Sequence, residues 1–227
     1  MSRPVLAVFV LSVSLLTWET PACSQDWNHW RGSTGNGGSV DATPPTKWSD
    51  TENVKWKVEI PGRGSGSPVI SGDKVFVVSA VETAQGIKDT VKQAMDREQE
   101  KEGRRGRRGR EPVVPAVEMD FKVFCFDRSS GQRLWEKTAN TATPHEGTHS
   151  TNGFASASPC TDGQHVYASF GSRGVYCYTM DGDLVWKRDD FGEMQTRNSF
   201  GEGSSPMLYE DKLILPWDHE GLSLIHI

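Results

Sequence analysis

Cysteine is scarce in this chain, four among 227 residues, and no two are adjacent or set in a CxxC pair. Cys125, Cys160 and Cys177 remain once an exported protein sheds Cys23, and all three lie inside apolar runs. An odd count without metal-ligand spacing excludes a disulfide framework and a metal knuckle, and describes small buried hydrophobes. Long apolar runs are missing too. The longest mostly apolar stretch, Val5 to Leu16, has 12 residues, too few to span a bilayer. Nor is there a surplus of positive charge: 25 Lys and Arg against 30 Asp and Glu leave a net −5. That balance argues against a general or specific nucleic-acid binder, which would be basic.

What the chain does have is glycine, 23 residues of it, with eight tryptophans and short β-branched and aromatic runs. This composition suits an all-β protein with many turns. The start, with Arg3 ahead of the apolar stretch and Pro21-Ala22-Cys23-Ser24 after it, reads as a secretory signal peptide over residues 1–24. Export to the periplasm or beyond follows. A lipidated Cys23 is the rival, and only that would bring the protein to a membrane; Thr20 stands where a large aliphatic residue is usual. Residues 25–52 form a lead-in segment.

From there the chain repeats itself. "SGSPVISGDKVFVVS", "SASPCTDGQHVYASF" and "SSPMLYEDKLILPW" align on their Ser-Pro pairs, and Pro68 to Val75, Pro159 to Val166 and Pro206 to Leu213 keep one spacing. Further on, "KVFCFDRSSGQRLWEK" matches "GVYCYTMDGDLVWKR", setting Cys125 over Cys177 and Trp135 over Trp186. Each unit reads as four short strands. The "VFCF" and "VYCY" strands are apolar on both faces, as in strands sandwiched between sheets. Asp181-Gly182 reads as a two-residue hairpin turn, with Ser130-Gly131 its counterpart. The closing tryptophans offer flat plates for packing between sheets. Residues 53–60, carrying Trp56, read as an outer strand whose inner partners belong to another blade. Four-stranded units repeated radially make a β-propeller.

These two units resemble pyrroloquinoline-quinone-like (PQQ-like) propeller repeats, a superfamily that includes quinoprotein alcohol dehydrogenases and the propeller lipoprotein of outer-membrane protein assembly. The lead-in "WNHWRGSTGNG" and "KWSDTENVKWKVEIPGRGSGSPV" resemble the opening of secreted bacterial members. The resemblance implies an incomplete propeller of about three blades over residues 53–221, where complete members have seven or eight. The ending "LSLIHI" breaks the pattern, and residues 222–227 are read as a non-native tail. The fold alone leaves function open, since many members bind no quinone.

Residues 82–119 interrupt the first unit. Ile87, Val91, Ala94 and Met95 recur at helical spacing over 86–102, and the run Arg104, Arg105, Arg107, Arg108 and Arg110 follows. A solvated, flexible insertion is the plain reading; an anion-docking arm is the sharper one.

The candidate chemistry is thin. His145-Glu146-x-x-His149 matches the metalloprotease pattern, which needs a helix to put both imidazoles on one face. Pro144 and Gly147 speak for a loop, and a protease is rejected. As part of a propeller face the same loop is more useful. Blade-to-blade connections would bring His145, Glu146, His149 and Asn152 together with Arg197 and Asn198, and second-to-third strand loops would add Arg173 with Asp218, His219 and Glu220. Such a set could bind a polar or polysaccharide ligand, or a protein partner, in the cell envelope. No catalytic or metal-ligating residue is assigned. The favoured reading is an exported binding or assembly scaffold. The alternative is a PQQ-dependent oxidoreductase holding the quinone with calcium, for which the resemblance implies adjacent cysteines that this chain does not have.

Overall fold

The computed structural model describes residues 26–39, 42–103, 113–114, 116–195, 200–217 and 224–226, with backbone alone for 94–103, 113–114 and 224–226. The first repeat folds as β1 (Val69–Ser71), β2 (Lys74–Glu82), β4 (Met119–Asp127) and β5 (Arg133–Ala142), an antiparallel sheet in that order. Between β2 and β4 lie helix α1 (Ala84–Gly103) and the short strand β3 (Val113–Val114). The second repeat is β7 (Cys160–Thr161), β8 (His165–Ser169), β9 (Val175–Thr179) and β10 (Leu184–Arg188), again antiparallel and consecutive. A third sheet holds β11 (Met207–Tyr209), β12 (Lys212–Trp217) and β13 (Leu224–His226). Leu224–His226, in the ending read as foreign, thus pairs with Leu215–Trp217. The result is an incomplete all-β propeller-like fold.

The sheets stack face to face, so the main core lies between repeats. Val69, Phe76, Phe121, Val123 and Cys125 of the first sheet pack against Val166, Ala168, Tyr176 and Tyr178 of the second. Both faces of β4 and β9 are therefore covered. Val123 through Phe126 and Val175 through Tyr178 are all buried. The innermost strands β1, β7 and β11 are neighbours, as expected for sheets radiating from one axis.

Two repeated contacts bind sheet to sheet, and each explains a sequence signal. The first involves the serine of every Ser-Pro pair. The Ser67 amide donates to Ser158 Oγ at 2.8 Å, and the Ser158 amide to Ser205 Oγ at 2.9 Å. A residue before proline is held extended and makes no helical bond, so its amide is available to the next sheet. The second contact is a docked tryptophan. Trp135 lies over Gly182 of the next repeat and donates its indole N–H to Met180 O at 3.0 Å. Trp56 does the same over Gly131, donating to Arg128 O at 2.9 Å. A Cβ at either glycine would fall 2.6–2.8 Å from the indole ring, and both glycines have positive φ, so no other residue fits well.

Two expectations need correction. Residues 53–60 form no strand; Trp56 makes its docking contact from an unpaired segment, because the indole and not a backbone ladder holds it there. Asp181-Gly182 is not a two-residue turn. Gly182 N bonds Thr179 O at 3.0 Å and Thr179 N bonds Asp183 O at 2.8 Å, a turn followed by a left-handed glycine, with the register shift after Leu184 taking up the extra residue.

The lead-in is built into the sheets. Trp27 exchanges both backbone bonds with Ile70 at 2.8 and 2.9 Å, and Asn28 O accepts the Thr161 amide at 3.0 Å. It therefore crosses the ends of β1 and β7 that lead into the first turns, opposite the face where the blade connections enter. Among the described residues no helix is long and apolar enough to cross a membrane. The segment read as a signal peptide, Cys23 and the arginine run lie outside the described residues.

Candidate functional site

The face where the connections enter carries a cluster of polar side chains drawn from three loops. Arg173 ends the 3-10 turn Gly171–Arg173 between β8 and β9, His145 follows β5, and Glu193 and Glu202 stand in the connection from β10 to β11. One Arg173 nitrogen reaches His145 Nδ1 at 3.0 Å and Glu193 Oε1 at 2.9 Å. A guanidinium only donates, so Nδ1 is unprotonated and Nε2–H donates to Met194 O at 2.5 Å. Arg173 thus sets the imidazole tautomer. Glu202 accepts from both the amide and the hydroxyl of Ser172, and Ser172 Oγ accepts the Met194 amide at 2.7 Å.

Burial divides the two carboxylates. Glu202 is largely enclosed, and desolvation raises its pKa despite the bonds from Ser172 and the nearby charge of Arg173. Glu193 is more than half exposed, and the Arg173 hydrogen bond lowers its pKa. A cavity of only 30 Å³, walled by Phe121, Phe154 and Phe170, adjoins the cluster, space for about one water. The cluster therefore works first as a clasp joining three loops.

The other half of the face is open. β6 (Thr148–His149) pairs with β3, Val113 opposite His149, so the returning leg of the insertion is stitched to this connection. Thr148 Oγ1 and Asn152 Nδ2 both donate to Phe200 O, at 3.1 and 2.8 Å, which binds the two blade connections together. His149 stands edge-on to the Phe200 ring at 5.5 Å, and Phe200 is 55% exposed. A broad groove of 490 Å³ runs past Ser65, His149, Thr151, Asn152 and Phe200. Beside it lies an apolar hollow of 340 Å³ that includes Val81, Ile87, Met119 and Phe154.

Of the residues expected on this face, His145 and Arg173 meet directly, Glu146 lines the small cavity, and His149 with Asn152 lines the groove. Arg197, Asn198, Asp218, His219 and Glu220 lie outside the described residues. His145 and His149 sit on a loop and a two-residue strand with different partners, so the HExxH spacing creates no shared ligand face. Sequence reading missed Glu202, Ser172 and Glu193. A signal for Glu202 existed: it stands four residues before Pro206, where Ala155, fully buried, stands four before Pro159. A carboxylate at a repeat position that is buried elsewhere marks a departure from pure packing.

Among the described residues no three His, Cys, Asp or Glu side chains gather closely enough to hold a metal ion. Among the described residues the three thiols are buried and held as thiols. Burial pushes Cys125 and Cys160 up to about 12 and Cys177 up to about 11.

Residues 45–200 match the model of the PQQ-like repeat family described as outer membrane protein assembly factor BamB. The chain belongs to this family. Among solved structures, the crystal structure of BamB from Moraxella catarrhalis aligns at 14% identity with a TM-score of 0.32, covering 67% of this chain and 41% of that one. This chain thus spans about two fifths of that protein's length. No curated protein matches.

Proposed function

We propose that this BamB-family chain is an exported scaffold of the cell envelope that binds a protein partner through its loop face. The observation that carries the reading is the open groove at His149, Asn152 and Phe200, where a largely exposed aromatic side chain is held in place by bonds from a neighbouring connection. Exposed aromatics on a rigid support are the usual anchors of protein interfaces. The His145–Arg173–Glu193–Glu202 clasp supports the same reading, because its groups are engaged in joining loops and so keep the groove in shape. A partner in outer-membrane protein assembly is the class that the family description suggests. The signal-peptide reading of residues 1–24 supports an envelope location.

The test is site-specific photo-crosslinking in cells from position 200, with position 211 in the turn at the opposite face as reference. Adducts to a defined envelope protein from position 200 alone, reduced by His149→Ala, are expected. Equal adducts from both positions, or none, would overturn the assignment. Turnover with added PQQ and calcium would instead favour the oxidoreductase, to which none of the described residues contributes a recognisable ligand set.

A further inference from the structure

The insertion sets an unpartnered apolar stripe beside the open groove. One side of helix α1 is seated on the first sheet. The Thr83 amide donates to Glu118 O at 3.0 Å, Gly86 lies against the same carbonyl where no Cβ would fit, and Thr90 Oγ1 donates to Glu82 Oε2 at 3.2 Å. Helical spacing puts Ile87 and Val91 together on the stripe next to that seat. They are 53% and 48% exposed. Ile87 also lines the 340 Å³ hollow, together with Val81, Met119 and Phe154. Asn152 lines both hollow and groove, so the two surfaces are continuous.

The charges around this stripe are unbalanced. Lys88 and Lys92 each follow one of its members, on the side turned away from the seat. Both are exposed, and neither has a hydrogen bond or ion pair among the described residues. At the sheet edge, Arg63 is fixed by its backbone, which pairs both ways with Ala80 at 2.9 and 3.0 Å. Its guanidinium uses one donor on Ser150 O at 3.2 Å and has further N–H groups to offer. The carboxylates nearby are engaged: Glu82 by Thr90, Asp89 by Gln85 at 2.8 Å, and Glu118 by Thr83. An apolar stripe is thus bordered by cations that lack a carboxylate.

We infer that this surface docks an acidic segment of the partner protein, which inserts a bulky apolar side chain into the hollow and sets carboxylates against Lys88, Lys92 and Arg63. A chain suits the shape, because the apolar surface runs on from the hollow along Ile87 and Val91 instead of closing around one molecule. The apolar centre supplies affinity, and the bordering ion pairs select the partner. The inference rests on the reading of the loop face as a partner-binding face, and adds the chemistry of that partner.

The experiment measures fluorescence anisotropy of three labelled peptides with the full chain. One has a leucine-tryptophan-leucine centre flanked by glutamates; the others carry glutamines or lysines in place of the glutamates. The glutamate peptide should bind most tightly and weaken as salt rises. Lys88→Gln with Lys92→Gln should weaken it about three- to tenfold, the worth of one or two exposed ion pairs, and leave the glutamine peptide unchanged. Ile87→Ser should weaken both peptides. Arg63→Gln provides a further variant should the helix substitutions loosen the insertion, which circular dichroism would show. Equal binding of the glutamate and lysine peptides, or no binding up to about 1 mM, would overturn the inference. So would binding of phosphatidylglycerol vesicles in place of the peptide, which would mark a lipid-facing surface instead. Crosslinking from position 200 reports on the groove alone, so the two readings fail separately.

Discussion

Trp135 and Trp186 occupy the same repeat position, opposite Cys125 and Cys177 in register, but only Trp135 has a following turn to dock on among the described residues. Replacing each by alanine therefore separates inter-blade docking from packing within a blade. Trp135 is half-buried, 5.8 Å from Phe76 and 6.2 Å from Tyr178 between ring centres, and donates to Met180 O. A fully buried tryptophan costs about 3–5 kcal/mol on truncation, so Trp135→Ala should cost about 2–4 kcal/mol. Trp135→Phe keeps the plate and loses the N–H donor, for about 0.5–1.5 kcal/mol. Trp186 is 38% exposed with Tyr167 as its ring neighbour, and Trp186→Ala should cost less than about 1 kcal/mol. Gly182→Ala completes a cycle. The new Cβ would meet the Trp135 ring at 2.8 Å, and φ is +89°, so combining it with Trp135→Ala should relieve the steric part and leave the backbone strain. Urea unfolding followed by far-ultraviolet circular dichroism measures all five variants, the double included, with a shared slope confirming that native compactness is unchanged. A Trp186→Ala cost equal to that of Trp135→Ala would refute docking as the function of this position.

Three further outcomes are expected. Burial raises the Glu202 pKa, so its carboxylate form is disfavoured in the folded state; stability from this group is present below the unfolded value and declines as pH rises through the raised one. Glu202→Gln should remove that decline from a plot of Tm against pH. Asp127 runs the other way. Hydrogen bonds from Ser129 and Ser130 lower it to about 2, so its contribution holds above the ordinary carboxylate value and is lost as pH falls through about 2; acid titration of Asp127→Asn by circular dichroism should lack that loss. Cys125, Cys160 and Cys177 should resist a thiol reagent at pH 8 in the folded protein and react fully in urea, counted by mass spectrometry; prompt labelling of the native chain would contradict their burial.

Much of the fold was legible because a repeat shows the same physical demand twice. The Cys125 and Cys177 strands are apolar on both faces because sheets cover both, and Trp135 stands opposite Cys125 with its indole free to reach a turn one blade away. The local errors have a common cause. A two-residue turn at Asp181-Gly182 and a strand at 53–60 were read from short-range pattern, whereas a left-handed glycine and an indole hydrogen bond decide these segments. On the loop face, the sequence pointed to His145 and Arg173 but not to Glu202 or Ser172, since loops carry no period from which proximity can be inferred.

The sequence by itself determined the four-stranded unit, its serine and tryptophan landmarks and the burial of its thiols, all consequences of periodic apolar patterning and backbone preference. Only the tertiary structure decided which hydroxyls the Ser67 and Ser158 amides would meet and which carboxylate Arg173 would pair with. Those outcomes depend on contacts between segments tens of residues apart, where the relative placement of sheets, rather than any local preference, sets the distance between groups.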